Sequence, residues 1–424
     1  MIALLLVLGL LWPALGIAAE NFPPPEFSWN YQFPQTPVPG PRPPLLAWID
    51  MAVLAAMLVM AAWAVYRTRS RSHLFVLAAF GVAYFGFWRK GCVCAVGSIQ
   101  NVALSFTDPT YGVSLAVAVF FLLPLLGALF YGRIFCAAAC PLGALQDVVL
   151  LRPLRVPKWL DSSLSLLPWI YLGGAVLFAV MGSDFIICRY DPFILFYRLG
   201  GTPLMLAIGT AVVLLAVFVG RPYCRYACPY GALLGLCGRV SWRRVKLTYG
   251  ECINCHLCAN ACPFGAISPP TAEPGSVSRR EGRRRLGLLI ALFPLLLAAG
   301  GFLGRFSSPL LAKVDPTVRL ADLVFLQEKG LVQEPTLATE AFARQGRPAQ
   351  ELYQQAAAIH RKYELGGTLM GVWLGLIFGA RMIRLSIRRH RAEYDIDQAA
   401  CVTCGRCFDV CPVERQRRGT LTSE

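Results

Sequence analysis

Histidine is scarce in this chain, and charge is scarce where the chain is most apolar. Only His73, His256, His360 and His390 occur in 424 residues. None gives a pair facing within the apolar segments, which disfavours intramembrane b-haems held by two histidines. No C-x-x-C-H is present, so c-type haem is excluded. There is no Walker loop, no G-x-G-x-x-G after a strand and no H-E-x-x-H. A transporter usually carries charged or polar residues inside its spans; the apolar segments here have almost none.

What is abundant is apolar surface, cysteine and positive charge. The chain is 56% hydrophobic with a mean hydropathy of +0.54, too apolar for a soluble globular domain and too long for a single-span protein. Seven spans are predicted, at roughly 46–66, 74–90, 113–132, 164–182, 203–220, 286–303 and 366–383, each near the ~20 residues a bilayer needs. Residues 1–19 read as a signal peptide or N-terminal anchor ending Ala18-Ala19, although without a basic residue. Residues 20–45 read as a Pro-rich periplasmic arm, too poor in apolar side chains to fold alone. The net charge is +16, and the predicted topology gathers most of it on the cytoplasmic side, as the positive-inside rule requires. Arg67, Arg69 and Arg71, then Arg152, Arg155 and Lys158, then Arg279 to Arg285 fall there. Nucleic-acid binding is therefore a poor reading of that charge.

The 16 cysteines are grouped, which in a large membrane chain points to metal rather than to a disulfide scaffold. Cys252, Cys255, Cys258 and Cys262-Pro263 have the spacing C-x2-C-x2-C-x3-C-P. So do Cys401, Cys404, Cys407 and Cys411-Pro412. This spacing wraps three thiolates round a [4Fe–4S] cube and sends the fourth to the neighbouring cube. One cluster is thus expected on Cys252, Cys255, Cys258 and Cys411, and the other on Cys401, Cys404, Cys407 and Cys262. Zinc would use two pairs of ligands instead, and disulfides fit a reducing cytoplasm badly. Two predicted spans and an insert separate the motifs, so the module closes only when the chain returns to the same face.

A half motif occurs twice more, as Cys136-Ala-Ala-Ala-Cys140-Pro141-Leu-Gly143-Ala144 and Cys224-Arg-Tyr-Ala-Cys228-Pro229-Tyr-Gly231-Ala232. Each follows Gly-Arg, at Gly132-Arg133 and Gly220-Arg221, at the end of a span. Residues 74–151 therefore read as repeated in 164–238, and such repeats often build a site between them. Cys136, Cys140, Cys224 and Cys228 would offer four thiolates to one cubane at the inner membrane border; the alternative is inert packed cysteine. Cys237 reads as core rather than as a spare ligand. Cys92, Cys94 and Cys188 are expected on the outer face, holding a further cluster with a non-cysteine ligand, or else a disulfide or simple packing. Grouping Cys92 and Cys94 with Cys136 and Cys140 is disfavoured, because the span 113–132 would separate them by most of the bilayer.

The expected fold is mostly α: a polytopic helix bundle with an internal repeat, plus a cytoplasmic α+β two-cluster ferredoxin-like module split by two spans. The membrane domain is 46–250, the module halves are 251–285 and 384–424, and spans 286–303 and 366–383 flank a periplasmic insert, 304–365. In the insert, Leu352, Ala356, Ile359 and Tyr363 recur at helical spacing and read as core.

The twin C-x3-C-P motifs at Cys136/Cys140 and Cys224/Cys228, followed by the full motif at Cys252, resemble the NosR/NapH group of membrane polyferredoxins. The likeness covers about 74–267 and then 401–412. It implies an electron-transfer component of an oxidoreductase complex in the bacterial inner membrane, passing electrons between cytoplasmic-side clusters and quinone or a periplasmic or membrane redox partner. A related branch implies an alternative: an accessory factor that reduces a metal or thiol during maturation of an oxidoreductase. The chain departs from the group in its displaced second ferredoxin motif and in Cys92, Cys94 and Cys188. It lacks the [ST]-G-A-[ST] flavin attachment motif, so covalent FMN is not expected.

Overall fold

The computed structural model describes residues 43–91, 94–151, 153–154, 156–198, 200, 202–247, 252–271, 279–332, 335–387, 391 and 393–417. The expected signal segment and nearly all of the Pro-rich arm lie outside these residues, as do Cys92, Arg152 and Arg155. The fold is mostly helical with a single two-stranded sheet among the described residues.

Four helices are long and apolar enough to cross a membrane: Pro44–Tyr66, Trp159–Val180, Arg280–Ala312 and Ala349–Ser386. The first, α1 (Pro44–Tyr66), starts on a proline whose fixed φ suits the first helical turn. Two further apolar helices, α4 (Leu115–Tyr131, 17 residues) and α7 (Pro203–Phe218, 16 residues), are shorter than a full crossing. Each is capped by a hydroxyl, Ser114 accepting from Val117 N–H and Thr202 from Met205 N–H. The predicted span 74–90 is helical almost to its end. Helix α2 (Arg71–Gly81) runs without a break into a π segment, Val82–Trp88, and the chain then bends through Lys90 and Gly91, both with positive φ. It restarts at α3 (Ala95–Ser105), whose first six residues are all buried.

The half motifs fold back into the bundle rather than lying at its edge. Tyr66 OH, at the end of α1, donates to the Tyr131 and Arg243 carbonyls at 2.9 and 3.0 Å, which marks one end of the bundle. Four residues after Tyr131 a second π turn, Phe135–Ala139, begins. A methyl added at Gly81 would stand 2.9 Å from the Ala138 carbonyl oxygen and 3.3 Å from Met57 Cε. Met57 is in the middle of α1, so the turn has climbed well inside. Helix α5 (Pro141–Val148) starts there. In the second repeat Tyr230, at the start of α8 (Pro229–Arg239), donates to the Phe121 carbonyl at 2.7 Å, in the first half of α4. Just beyond the end of α8, Trp242 N–H bonds Leu129 O at 2.9 Å, near the end of α4. The half-motif cysteines thus sit within the bundle.

Between them, α6 (Leu167–Val180) packs on α3, on α5's repeat partner α8 and on the last long helix. The two longest helices, α10 (Arg279–Ala312) and α13 (Ala349–Ser386), have 34 and 38 residues, or about 50 and 57 Å at 1.5 Å per residue. That exceeds the ~30 Å apolar core of a bilayer, so the predicted insert is partly their extension. Their backbones touch along Gly300 and Gly304 on one side and Gly367 and Gly371 on the other; a methyl at Gly371 would overlap the Gly300 carbonyl oxygen. This small-xxx-small contact is how apolar helices pack closely in lipid. The remainder of the insert forms α11 (Pro316–Glu328) and α12 (Leu337–Arg344). Val318, Ala321 and Val324 of α11 bury Leu352, Ala356 and Tyr363 of α13, with Ile359 at the edge.

Beyond the bundle's end, β1 (Ile267–Ser268) pairs antiparallel with β2 (Asp395–Ile396), Ile267 opposite Ile396. Helix α9 (Leu257–Ala261) packs against α14 (Arg406–Val410). Segments more than 100 residues apart in sequence thus form one unit, joined by the α10–α13 pair.

Candidate iron–sulfur centres

In both full motifs the residues flanking the second cysteine are left-handed. Asn254 and His256 have φ of 55° and 60°; Thr403 and Gly405 have 51° and 75°. Such turns let one short loop aim three thiols inward, and non-glycine residues adopt them only where the surroundings impose it. The fourth cysteines cross over. Cys262 joins Cys401, Cys404 and Cys407 in lining a small space walled by Phe264, Ile267, Ile396 and Phe408. Burial pushes the Cys401 thiol up to about 12, and the negative charge of Cys404 and Cys262 adds to it. Cys258 is raised by burial and then by Cys411, Cys252 and Cys255. Cys252 and Cys255 are exposed, so that quartet faces away from the bundle.

The four half-motif cysteines form a third quartet. Cys136 lies in the π turn, Cys224 in the short helix Pro222–Tyr226, and Cys140 and Cys228 open α5 and α8. Their exposures are only 5–7%. Gln146 of α5 reaches Cys224 of the other half motif and Arg133 reaches Cys136, so the two pairs share one buried region. Four buried thiolates repel one another unless something positive sits among them. A [4Fe–4S] cluster supplies that charge and takes four thiolates, so the donor set fits it. Among the described residues no three Cys, His, Asp or Glu side chains close on a single-ion site; a cubane spans several atoms and holds its ligands further apart than one ion does. Gln146 Nε2 donates to Cys224 Sγ at 3.4 Å, and Gly231 N–H to Cys228 Sγ at 3.3 Å. Cys237 packs at the margin of the core.

Two site residues escaped the sequence reading. Arg133 and Arg221, the arginines of the Gly-Arg pairs, are 6% and 1% exposed. Arg221 donates to the Cys136 carbonyl oxygen, and its guanidinium lies 3.1 Å from where a methyl on Gly143 would be. Arg133 Nη2 lies 3.3 Å from the same position on Gly231 and donates to Cys136 Sγ at 3.8 Å. Each arginine thus fills the room made by the other repeat's glycine. Both also meet the ferredoxin unit. Arg133 Nη1 donates to Ala399 O at 2.9 Å, and Arg221 lies 5.9 Å from the Phe264 ring centroid. Asp147, at the foot of α5, faces Arg406 at 3.0 Å, Arg221 at 3.4 Å and Arg71 at 3.9 Å. Burial raises its carboxyl, but Arg221, Arg406 and Arg71 outweigh that and hold it below the usual carboxylate range. The Gly-Arg repeat was the visible signal; it read as topology because arginine at a span end usually is.

Cys94 opens α3 and lines one space with Cys140, Asp191 and Tyr197, so the grouping with Cys140 that a full span was expected to prevent is close in the fold. Cys188 is exposed, in the turn Ile186–Arg189.

Residues 113–159 and 202–249 match one 4Fe-4S binding domain family, 245–268 a second and 401–414 a third. The chain is 27% identical over 148 residues to the putative electron transport protein YccM of Escherichia coli, covering 31% of this chain and 41% of that one. It is 30% identical over 192 residues to the uncharacterized protein MJ0750 of Methanocaldococcus jannaschii, covering 43% of this chain and 77% of that protein. It is 31% identical over 209 residues to the regulatory protein NosR of Stutzerimonas stutzeri, covering 45% of this chain but 28% of NosR. The chain therefore spans under half the length of YccM and of NosR. No solved structure matches. On the twin half motifs, the matched 4Fe-4S segments and these relatives, the chain belongs to the NosR/NapH-like family of 4Fe–4S membrane polyferredoxins.

Proposed function

We propose that this protein carries single electrons along a line of three cysteine quartets. One [4Fe–4S] cluster is held by Cys252, Cys255, Cys258 and Cys411, a second by Cys401, Cys404, Cys407 and Cys262, and a third by Cys136, Cys140, Cys224 and Cys228. The observation that carries this reading is the layer formed by Arg133 and Arg221. These side chains touch the half motifs on one side and Ala399 and Phe264 of the ferredoxin unit on the other. The Cys262/Cys401 quartet is therefore next to the buried one, and the exposed Cys252 quartet is the entry or exit.

When bound, the clusters supply the one-electron chemistry. The chain's own work is to fix their spacing, keep water from the buried quartet and place positive charge between quartets. The ferredoxin end is assigned to the cytoplasm, which the Lys and Arg distribution supports. The far end serves quinone or an outer redox partner, in line with the electron-transport name of YccM. The test is iron and sulfide content of the purified chain, with EPR under stepwise reduction. Iron for only two cubanes, left unchanged by Cys136→Ser, would sink the buried cluster.

A further inference from the structure

Cys94, Cys188 and Asp191 lie outside every matched 4Fe-4S segment, yet the fold draws them to the far side of the buried quartet. Cys94 opens an 11-residue helix from extended backbone, as Cys228 does. Cys94 occupies the same helix-start position as Cys228, whose sulfur accepts Gly231 N–H at 3.3 Å. Backbone amides at a helix start favour a thiolate. The local sequences agree: C-x-x-G occurs at Cys94, Cys140, Cys228 and Cys262.

Cys188 comes over the same helix end. A methyl on Gly97 would stand 3.2 Å from its sulfur. The turn that carries it is held by Gln100, fully buried, whose Oε1 accepts Ile187 N–H at 3.0 Å. Asp191, three residues on, accepts Phe193 N–H at 2.9 Å and faces the space shared with Cys94 and Cys140. Like the space ringed by Cys262, Cys401, Cys404 and Cys407, this one is small and lined by cysteine among apolar walls. Its other walls, among them Leu54, Phe85 and Phe120, are apolar.

We propose that Cys94, Cys188 and Asp191 hold a further iron–sulfur centre beside the buried quartet, extending the electron path away from the ferredoxin unit. Thiolates select iron–sulfur clusters over hard cations, and one non-thiolate ligand raises the potential, as histidine does in Rieske centres. The step balances as a single electron: the buried quartet's cluster is oxidised by one, this centre is reduced by one, and no bond or proton moves. The exposed Cys188 then faces a one-electron partner at the far end. The inference rests on the electron-transfer reading above.

The experiment uses the full chain in detergent, reconstituted anaerobically, with iron, sulfide and zinc analysis and EPR under stepwise reduction. Serine keeps a helix N-cap, so Cys94→Ser/Cys188→Ser should fold. The double variant is expected to lose one cluster's share of iron and one EPR signal. Asp191→Cys, which offers a thiolate, should keep the iron and move that signal's midpoint to lower potential. Unchanged iron in the double variant, zinc at the site in place of iron, or an unmoved signal in Asp191→Cys overturns the proposal. Cys136→Ser/Cys224→Ser separates the two readings. Iron lost there but retained in the Cys94 variant leaves the buried quartet standing and removes the further centre; the reverse pattern removes the buried quartet.

Discussion

Arg221, which precedes the second half motif, donates to the carbonyl oxygen of Cys136 in the first. With Arg133 reaching Gly231 in return, the two repeats are locked by crossed arginines, and the same pair forms the seat of the ferredoxin unit.

Arg221→Gln removes a buried positive charge beside the buried quartet. Loss of that charge disfavours the reduced cluster, so the midpoint should fall by on the order of tens of millivolts. Arg221→Lys keeps the charge and should recover most of the shift. Breaking a buried ion pair costs about 3–5 kcal/mol, but Asp147 retains Arg406 and Arg71, so the loss in stability should be smaller. An EPR redox titration that gives one midpoint for wild type and Arg221→Gln would refute the assignment.

The crossover of the fourth cysteines makes a sharper demand. Cys262→Ser should alter the same EPR signal as Cys401→Ser, although 139 positions separate them in sequence. Cys411→Ser should share its signal with Cys252→Ser. If Cys262→Ser instead grouped with Cys252→Ser, the crossed ligand sets would be wrong.

Motif spacing made the quartets legible, because thiolate geometry is local. That the two half motifs belong together was legible too, through the repeated Pro-x-Gly-Ala, and the fold brings them into contact. Depth was not. Hydropathy counts apolar residues along the chain, and it cannot see that Phe135–Cys140 turns back to the level of Met57. The same blindness separated Cys94 from Cys140. Arg133 and Arg221 were visible as residues, but arginine at a span end serves topology so often that its crossing to the other repeat could not be foreseen.

The docking of the ferredoxin unit should depend on pH in one direction. Asp147's folded carboxyl lies below its unfolded value. Its contribution is therefore fully present above the unfolded carboxylate pKa of about 3.9, and it is lost as pH falls through the lower folded value. Thermal stability or protease protection of the 252–271 and 393–417 segments should drop in that acid window. Asp147→Asn should be less stable at neutral pH and show a shallower acid decline. An equal decline in both proteins would assign the effect to other carboxylates.

The glycine contact between α10 and α13 sets the geometry that closes the ferredoxin unit. Gly371 has no room for a side chain, since the Gly300 carbonyl oxygen occupies the place of its Cβ. Overpacking of this kind costs about 1–3 kcal/mol for modest additions, and a leucine must push the backbones apart. Gly371→Leu should lower the melting temperature and reduce iron at the Cys262/Cys401 quartet, because α13 leads directly to the second half of the unit. Gly287 lies in the same long helix as Gly300 with nothing within 4 Å. Gly287→Ala should therefore be neutral or stabilising, since alanine is favoured over glycine in a helix by about 1 kcal/mol. The two variants read together isolate the contact. Equal behaviour of Gly371→Leu and Gly287→Ala in melting and in iron content would mean that the helix pair does not hold the two halves in register.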